Sequence, residues 1–179
     1  MPRHGGVLQG ARFVASPNCD ARPPGTAVTL LVLHSISLPP GHYGGDAVER
    51  LFTNRLDPAA HASFRSLVGL RVSSHFLLRR DGALLQFVPL QLRAWHAGLS
   101  RWRGRGRCND FSIGVELEGS DAAAFADPQY ARLAVLVRTL RTLLPLREIA
   151  AHSDIAPGRK TDPGRVFDWS RWLRELARA

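Results

Sequence analysis

The apolar positions of this chain change period along its length. From Thr29 to Ser35 the sequence TLLVLHS is a short continuous apolar run of β-type residues, which predicts a buried central strand. Between Phe111 and Gly119 the pattern alternates, with Ile113, Val115 and Leu117 set against Gly114, Glu116 and Glu118. Period two predicts a half-buried strand that carries two carboxylates on one face. Ser73–Pro89 reads as two β-rich stretches around Asp81-Gly82, a dipeptide that favours a hairpin turn. REIAAHSD is a further short strand that delivers His152.

The helical period appears in DPQYARLAVLVRTLRTLLP, where Tyr130, Leu133, Ala134, Val137, Leu140 and Leu144 make one stripe. Asp127 is its expected cap, Pro128 occupies the first turn and Pro145 is the stop. Shorter helices are expected over AVERLF behind Asp46, over Asp57–Val68 behind an Asp-Pro pair, and over DWSRWLRELARA. In the last of these Asp168 is the cap, and Trp172, Leu173 and Leu176 face inward. LPPGHYGG, with paired prolines and paired glycines, is a loop. Strands and helices alternate irregularly around one hairpin. This predicts an α/β fold: a single domain with a central mixed β-sheet flanked by helices. Residues 1–28 show no sustained period and are expected to form an N-terminal arm packed on a domain of residues 29–179.

A chain of 179 residues, 45% hydrophobic and 22% charged, suits one globular domain with a real core. It has no apolar run long enough to span a bilayer, and MPRHGGVLQGARF has no apolar signal region, so an unprocessed cytoplasmic protein with no membrane partner is expected. Cys19 and Cys108 are far apart and lack metal-type spacing, which predicts free thiols. The formal charge of +9 raises the question of nucleic acid. The arginines are scattered, however, and their one dense cluster, RWRGRGR, is broken by glycine. No nucleic-acid partner is therefore expected, and a small anionic ligand needs only two or three of these side chains.

Seven histidines are present. His4 in the arm, His42 in a Gly/Pro loop and His61 in a short helix suggest surface or capping roles. His34, His75, His96 and His152 lie at or beside strand ends. Taken alone, His34 is either a core histidine bonded to backbone or a ligand at the open end of a sheet. His34, His152 and Asp162 together form the N,N,O donor set that catalytic zinc takes while keeping a fourth position open. The nine-residue gap between His152 and Asp162 has no helical register, so spacing alone leaves both readings open. Glu116 and Glu118 are likewise either a solvated face or, beneath a metal, the source of a general base. Lys160 is the chain's single lysine, in HSDIAPGRKTDPG, where every other cation is arginine.

Four stretches, LLVLHSISLPPGHYGG, VSSHFLLRRDGALLQFVP, RAWHAGLSRWRGRGRCNDFSIGVELEG and HSDIAPGRKTDPG, resemble the motifs of the N-acetylmuramoyl-L-alanine amidases, as do DPQY and FDW. The likeness spans nearly the whole chain and is nearest to the cytoplasmic AmpD type, which acts on 1,6-anhydromuramyl peptides in cell-wall recycling. The resemblance implies the amidase-2, peptidoglycan-recognition-protein-like fold and a Zn2+ cofactor held by His34, His152 and Asp162. It implies Glu116 as acid/base and Lys160 as electrostatic stabiliser. A monomer acting on small muropeptides is expected, whose loss would raise β-lactamase expression in a Gram-negative host. Candidate substrate contacts are Arg71 and Arg107 for stem carboxylates, Trp95 and His96 along the groove, Asn109 for a peptide amide, and His75 from behind. The family pattern reads HNIS after its first ligand, whereas this chain reads HSIS, with Ser35 in place of the amide. A non-catalytic recognition module and a wall-lytic amidase are the alternative readings.

Overall fold

The apolar run at residues 30–36 lies second from the edge of a six-stranded sheet in the computed structural model, which describes residues 2–3 and 5–178. His4 lies outside the described residues. The strands are β1 (Arg12–Phe13), β2 (Leu30–Ile36), β3 (Phe76–Leu78), β4 (Leu84–Gln86), β5 (Ser112–Glu118) and β6 (Glu148–Ala151), in the order β6-β2-β5-β3-β4-β1. All neighbours run parallel except the β3–β4 hairpin. The fold is thus α/β with a central mixed sheet flanked by helices, as expected.

Strand β2 is apolar from Leu30 to Leu33 because both of its faces are covered there. Leu31 and Leu33 join Ile113, Val115 and Leu117 in the core beneath α2 (Asp127–Leu143) and α4 (Trp169–Ala177). Leu30 and Val32 face the other way, onto Ala97, Phe111, Ala150 and Ile155. The same cover corrects the half-buried reading of β5: all seven of its residues are buried, Glu116 and Glu118 included. The irregular segment between β4 and β5 and the loop after β2 roof that face. The hairpin turns through Arg80-Asp81-Gly82, with the Asp81 carboxylate accepting the Ala83 N–H at 2.9 Å and Gly82 at φ +87.

Three helix expectations shift. Ala126, not Asp127, holds the N-cap of α2. Alanine has no acceptor, so Gln129 reaches back to the Ala126 N–H at 2.9 Å, and Asp127 pairs with Arg171 of α4 instead. The segment expected to be helical from Asp57 becomes a 3-10 turn only at Ala62–Leu67, capped by His61, because Phe64 alone gives it a buried anchor. In α4, Asp168 caps Arg171 N–H and Trp172 is fully buried, but Leu173 turns outward at 54% exposure. Helix α1 (Ala47–Phe52) lies where expected, although Asp46 binds Arg50 rather than a backbone N–H.

The first 28 residues contribute pairings too short to show a period. Arg12–Phe13 extends the sheet edge along β4, and Cys19–Ala21 pairs antiparallel with Leu92–Ala94. From this segment Arg22 reaches inward, donating to the carbonyls of Asn109, Asp110 and Ser112 at 2.9–3.0 Å. Cys19 and Cys108 are free thiols. No helix among the described residues is long and apolar enough to cross a membrane.

Candidate metal centre and substrate cleft

Strand register builds the site. His34 on β2 pairs directly with Glu116 on β5, and Leu33 pairs with Ala151 on β6, so His152 follows at the level of His34. Two imidazoles and a carboxylate therefore form a row across three adjacent parallel strands, on the face turned away from α2. His152 opens a single helical turn, α3 (His152–Ile155), so the strand expected over REIAAHSD ends one residue before it, at Ala151. The chain then doubles back, and the Asp162 carbonyl accepts the Ser153 N–H at 3.1 Å. That return brings the Asp162 carboxylate under both rings.

The Nδ1 atoms of His34 and His152 are 2.9 Å apart, and Asp162 Oδ2 lies 3.0 Å from the second and 3.3 Å from the first. Three ligands at about 2.0–2.1 Å from a tetrahedral zinc stand about 3.3 Å from one another, so the triangle is slightly contracted but of the right size. Its chemistry fits too. Burial pushes His34 down to about 4, outweighing the pull of Asp162, so its ring is neutral and offers a lone pair. Burial raises the Asp162 carboxyl, but the imidazole nitrogens of His152 and His34 outweigh it and hold the group well below its ordinary range. A neutral ring, an anion and a second imidazole converging within 3.3 Å suit one divalent cation.

Of the two carboxylates on β5, only Glu116 is free to act. Glu118 is tied down, accepting the N–H of Gly44 at 2.7 Å and of Arg80 at 3.2 Å beside the Arg79 guanidinium. Glu116 Oε2 is buried with no hydrogen-bond partner among the described residues. Burial, then the charge of Asp162, raise its pKa well above the carboxylate range, with Lys160 opposing. Such a carboxyl holds its proton to higher pH than an exposed carboxylate does.

These groups floor a cleft of about 530 Å³ whose walls include Arg71, Trp95, His96, Asn109 and Lys160. Arg71 is exposed at the rim, and half-buried Trp95 is steadied by a 3.1 Å bond from its ring nitrogen to Asp20. Two expected contacts are not brought to the cleft. Arg107 sits at φ 60, 75% exposed, and pairs with Asp110 at 3.2 Å. His75 is fully buried behind His96, where its Nδ1 accepts the Gly114 N–H at 3.0 Å. Asn109 reaches the cleft, but its Oδ1 is committed to the N–H groups of His96 and Ala97. His96 meets His34 edge-on and is too deeply buried to offer a stacking face. Sequence reasoning missed Arg159, which lines the cleft and donates to the carbonyls of Ala97 at 2.9 Å and Leu99 at 2.7 Å. Its place beside Lys160 was the available signal.

Comparison with known proteins bears on this arrangement. The family model described as N-acetylmuramoyl-L-alanine amidase matches residues 24–165. The 1,6-anhydro-N-acetylmuramyl-L-alanine amidase AmpD of Escherichia coli (strain K12) is 54% identical over 169 residues, 93% of this chain and 92% of that protein. A crystal structure of a selenomethionine derivative of AmpD superposes with a TM-score of 0.95 at 50% identity, covering 98% of this chain and 99% of that one. The complex of the amidase AmiD from E. coli with the substrate anhydro-N-acetylmuramic acid-L-Ala-D-γ-Glu-L-Lys superposes with a TM-score of 0.61 at 29% identity, over 86% of this chain and 60% of that one. A family match across most of the sequence, high identity over nearly its full length and a shared fold leave one assignment: the chain belongs to the N-acetylmuramoyl-L-alanine amidase family.

Proposed function

We propose that this amidase hydrolyses the bond between the lactyl group of 1,6-anhydro-N-acetylmuramic acid and L-alanine in small muropeptides, with one Zn2+ held by His34, His152 and Asp162. The observation that carries the reading is the His34–His152–Asp162 triangle beside the unpartnered Glu116 carboxyl on the cleft floor. The substrate class follows the activity in the name of the E. coli relative and the peptide bound in the AmiD complex.

Zinc, when bound, supplies Lewis acidity, acidifying water and polarising the carbonyl. The remaining chemistry falls to side chains. Glu116 accepts the proton of the attacking water and then hands it to the departing alanine nitrogen, a double duty that its raised pKa suits. Lys160 brings the cationic charge that offsets the developing oxyanion, and its field is felt at both His34 and Glu116. Arg71 at the rim offers a two-pronged donor to a stem carboxylate. Trp95 lines the groove for the sugar or the stem, and the free amide hydrogens of Asn109 serve a peptide carbonyl. The setting we propose is a monomer in cytoplasmic cell-wall recycling, with neither nucleic acid nor membrane as partner.

The test is product analysis by mass spectrometry. Incubation with an anhydromuramyl tripeptide gives free anhydro-N-acetylmuramic acid and an intact tripeptide, faster than with the reducing-end sugar. Cleavage within the peptide, or an intact substrate after incubation of zinc-loaded protein, contradicts the reading.

A further inference from the structure

Behind His34 runs a line of buried hydrogen bonds that the chemistry above does not use. His34 Nε2 lies 2.9 Å from Nδ1 of His96, and Nε2 of His96 lies 3.1 Å from the Ser112 hydroxyl. That hydroxyl lies 2.6 Å from the carbonyl oxygen of Cys108. His34, His96 and Ser112 are all buried.

The last member fixes the direction of the whole line. A carbonyl oxygen only accepts, so the single Ser112 hydroxyl proton is given to Cys108. Ser112 Oγ must then accept from His96, which places the His96 proton on Nε2 and leaves its Nδ1 bare. A bare Nδ1 accepts in turn, so the one proton of a neutral His34 sits on Nε2. Its Nδ1 is left as a lone pair, facing His152 and Asp162.

We infer that His96 is a positioning residue: by accepting the Nε2 proton of His34, it holds that ring in the tautomer and orientation that present Nδ1 to the metal. The inference rests on the zinc reading above and adds to it a residue that sequence analysis had placed against the substrate. Two features show that the position is built. Gly114 on β5 leaves the room the ring occupies, since a Cβ there would stand 2.5 Å from His96 Cγ. Asn109 Oδ1 clamps the backbone on either side of the ring through the N–H groups of His96 and Ala97 at 3.2 and 2.8 Å. The same segment treats the second imidazole alike, because the Ala97 carbonyl lies 3.3 Å from His152 Nε2 and can only accept. One short stretch thus orients both histidine ligands, as the outer partners of metal sites generally do.

The test compares His96→Phe, which removes the acceptor, with His96→Asn, whose Oδ1 stands close to where Nδ1 stood. Zinc affinity is measured by competition with a chromophoric chelator, and KM is measured on zinc-saturated enzyme. His96→Phe is expected to bind zinc about 10–100-fold more weakly, as loss of such a partner typically does. His96→Asn is expected to stay close to wild type, and KM is expected to hold in both. Unchanged zinc affinity in His96→Phe overturns the inference. So does equal weakening in both variants, or a raised KM with zinc affinity intact. A wild-type protein that binds no zinc refutes the proposed function instead, so the two failures are separable. If His96→Phe does not fold, nitrogen-15 NMR of zinc-loaded wild type decides. The expected spectrum shows His34 metal-bound at Nδ1 and protonated at Nε2; protonation at Nδ1 overturns the assignment.

Discussion

His34 and Glu116 face each other across adjacent parallel strands, paired at a single register position. Their spacing is set by the ladder of the sheet rather than by a loop. A slip of one residue would turn Glu116 to the opposite face, beneath α2. The proposed ligand and base therefore both stand on paired strands of the central sheet, whereas Lys160 and Asp162 arrive on a loop.

Replacing Glu116 by Gln is expected to keep the fold and the zinc and to lower kcat by about 10²–10⁴-fold, the range for a lost general acid–base group. The same variant carries a stability prediction. A carboxyl whose pKa is raised on folding disfavours the folded state once the pH exceeds its unfolded value. Metal-free Glu116→Gln should thus melt no lower than metal-free wild type at pH 7–8. Kinetics and calorimetry on one preparation check both, and a fully active variant removes Glu116 from its role.

Lys160→Ala should leave zinc stoichiometry unchanged and cost about 10²-fold in kcat, the usual loss for one preorganised partner of an oxyanion. Steady-state kinetics on an anhydromuramyl peptide measure it. A change confined to KM would make Lys160 a binding group instead.

Stability should fall with acidity through His75. Burial, then the charge of Arg22, lower its pKa to about 3. The unfolded ring titrates near 6.5 and the folded ring does not, so below that pH the unfolded state holds the extra proton. Stability from this group is complete above pH 6.5 and is lost down to pH 3, at about 1.4 kcal/mol per unit. Denaturant titrations between pH 7 and 4 test the slope, which should become shallower in His75→Asn. An identical slope in that variant contradicts the assignment.

Gly114→Ala should be destabilising by about 1–3 kcal/mol, the usual cost of overfilling a packed interior. The added carbon would meet the His96 ring, so zinc affinity should fall with stability. Thermal melts of the zinc-free form, with a chelator competition, separate the two effects.

Much of this was legible in the sequence, for identifiable reasons. The apolar run of β2, the Asp-Gly hairpin and the stripe of α2 follow from periodicity, and the convergence of His34, His152 and Asp162 was expected from motifs whose order spans the chain. Periodicity failed where irregular backbone does the covering. Glu118 stayed open between a solvated face and a base because nothing in the pattern of β5 reveals the loop that supplies the Gly44 N–H. Arg107 resembled a cleft residue until its left-handed backbone and its pairing with Asp110 placed it on the outer surface. His75 and His96 carry the same signature, a histidine beside a strand end, yet one bonds a backbone N–H and the other the His34 ring. Only contacts distant in sequence, such as Ser112 to His96, distinguish them.

The central claim is that His34, His152 and Asp162 hold a zinc ion without which the amide is not cut. The most direct measurement is amidase activity against bound zinc during chelation and readdition. Activity should fall in proportion to zinc lost, return at one equivalent per chain, and fail to return in His34→Ala, His152→Ala and Asp162→Ala. Metal-free protein that hydrolyses the substrate at the full rate would contradict it.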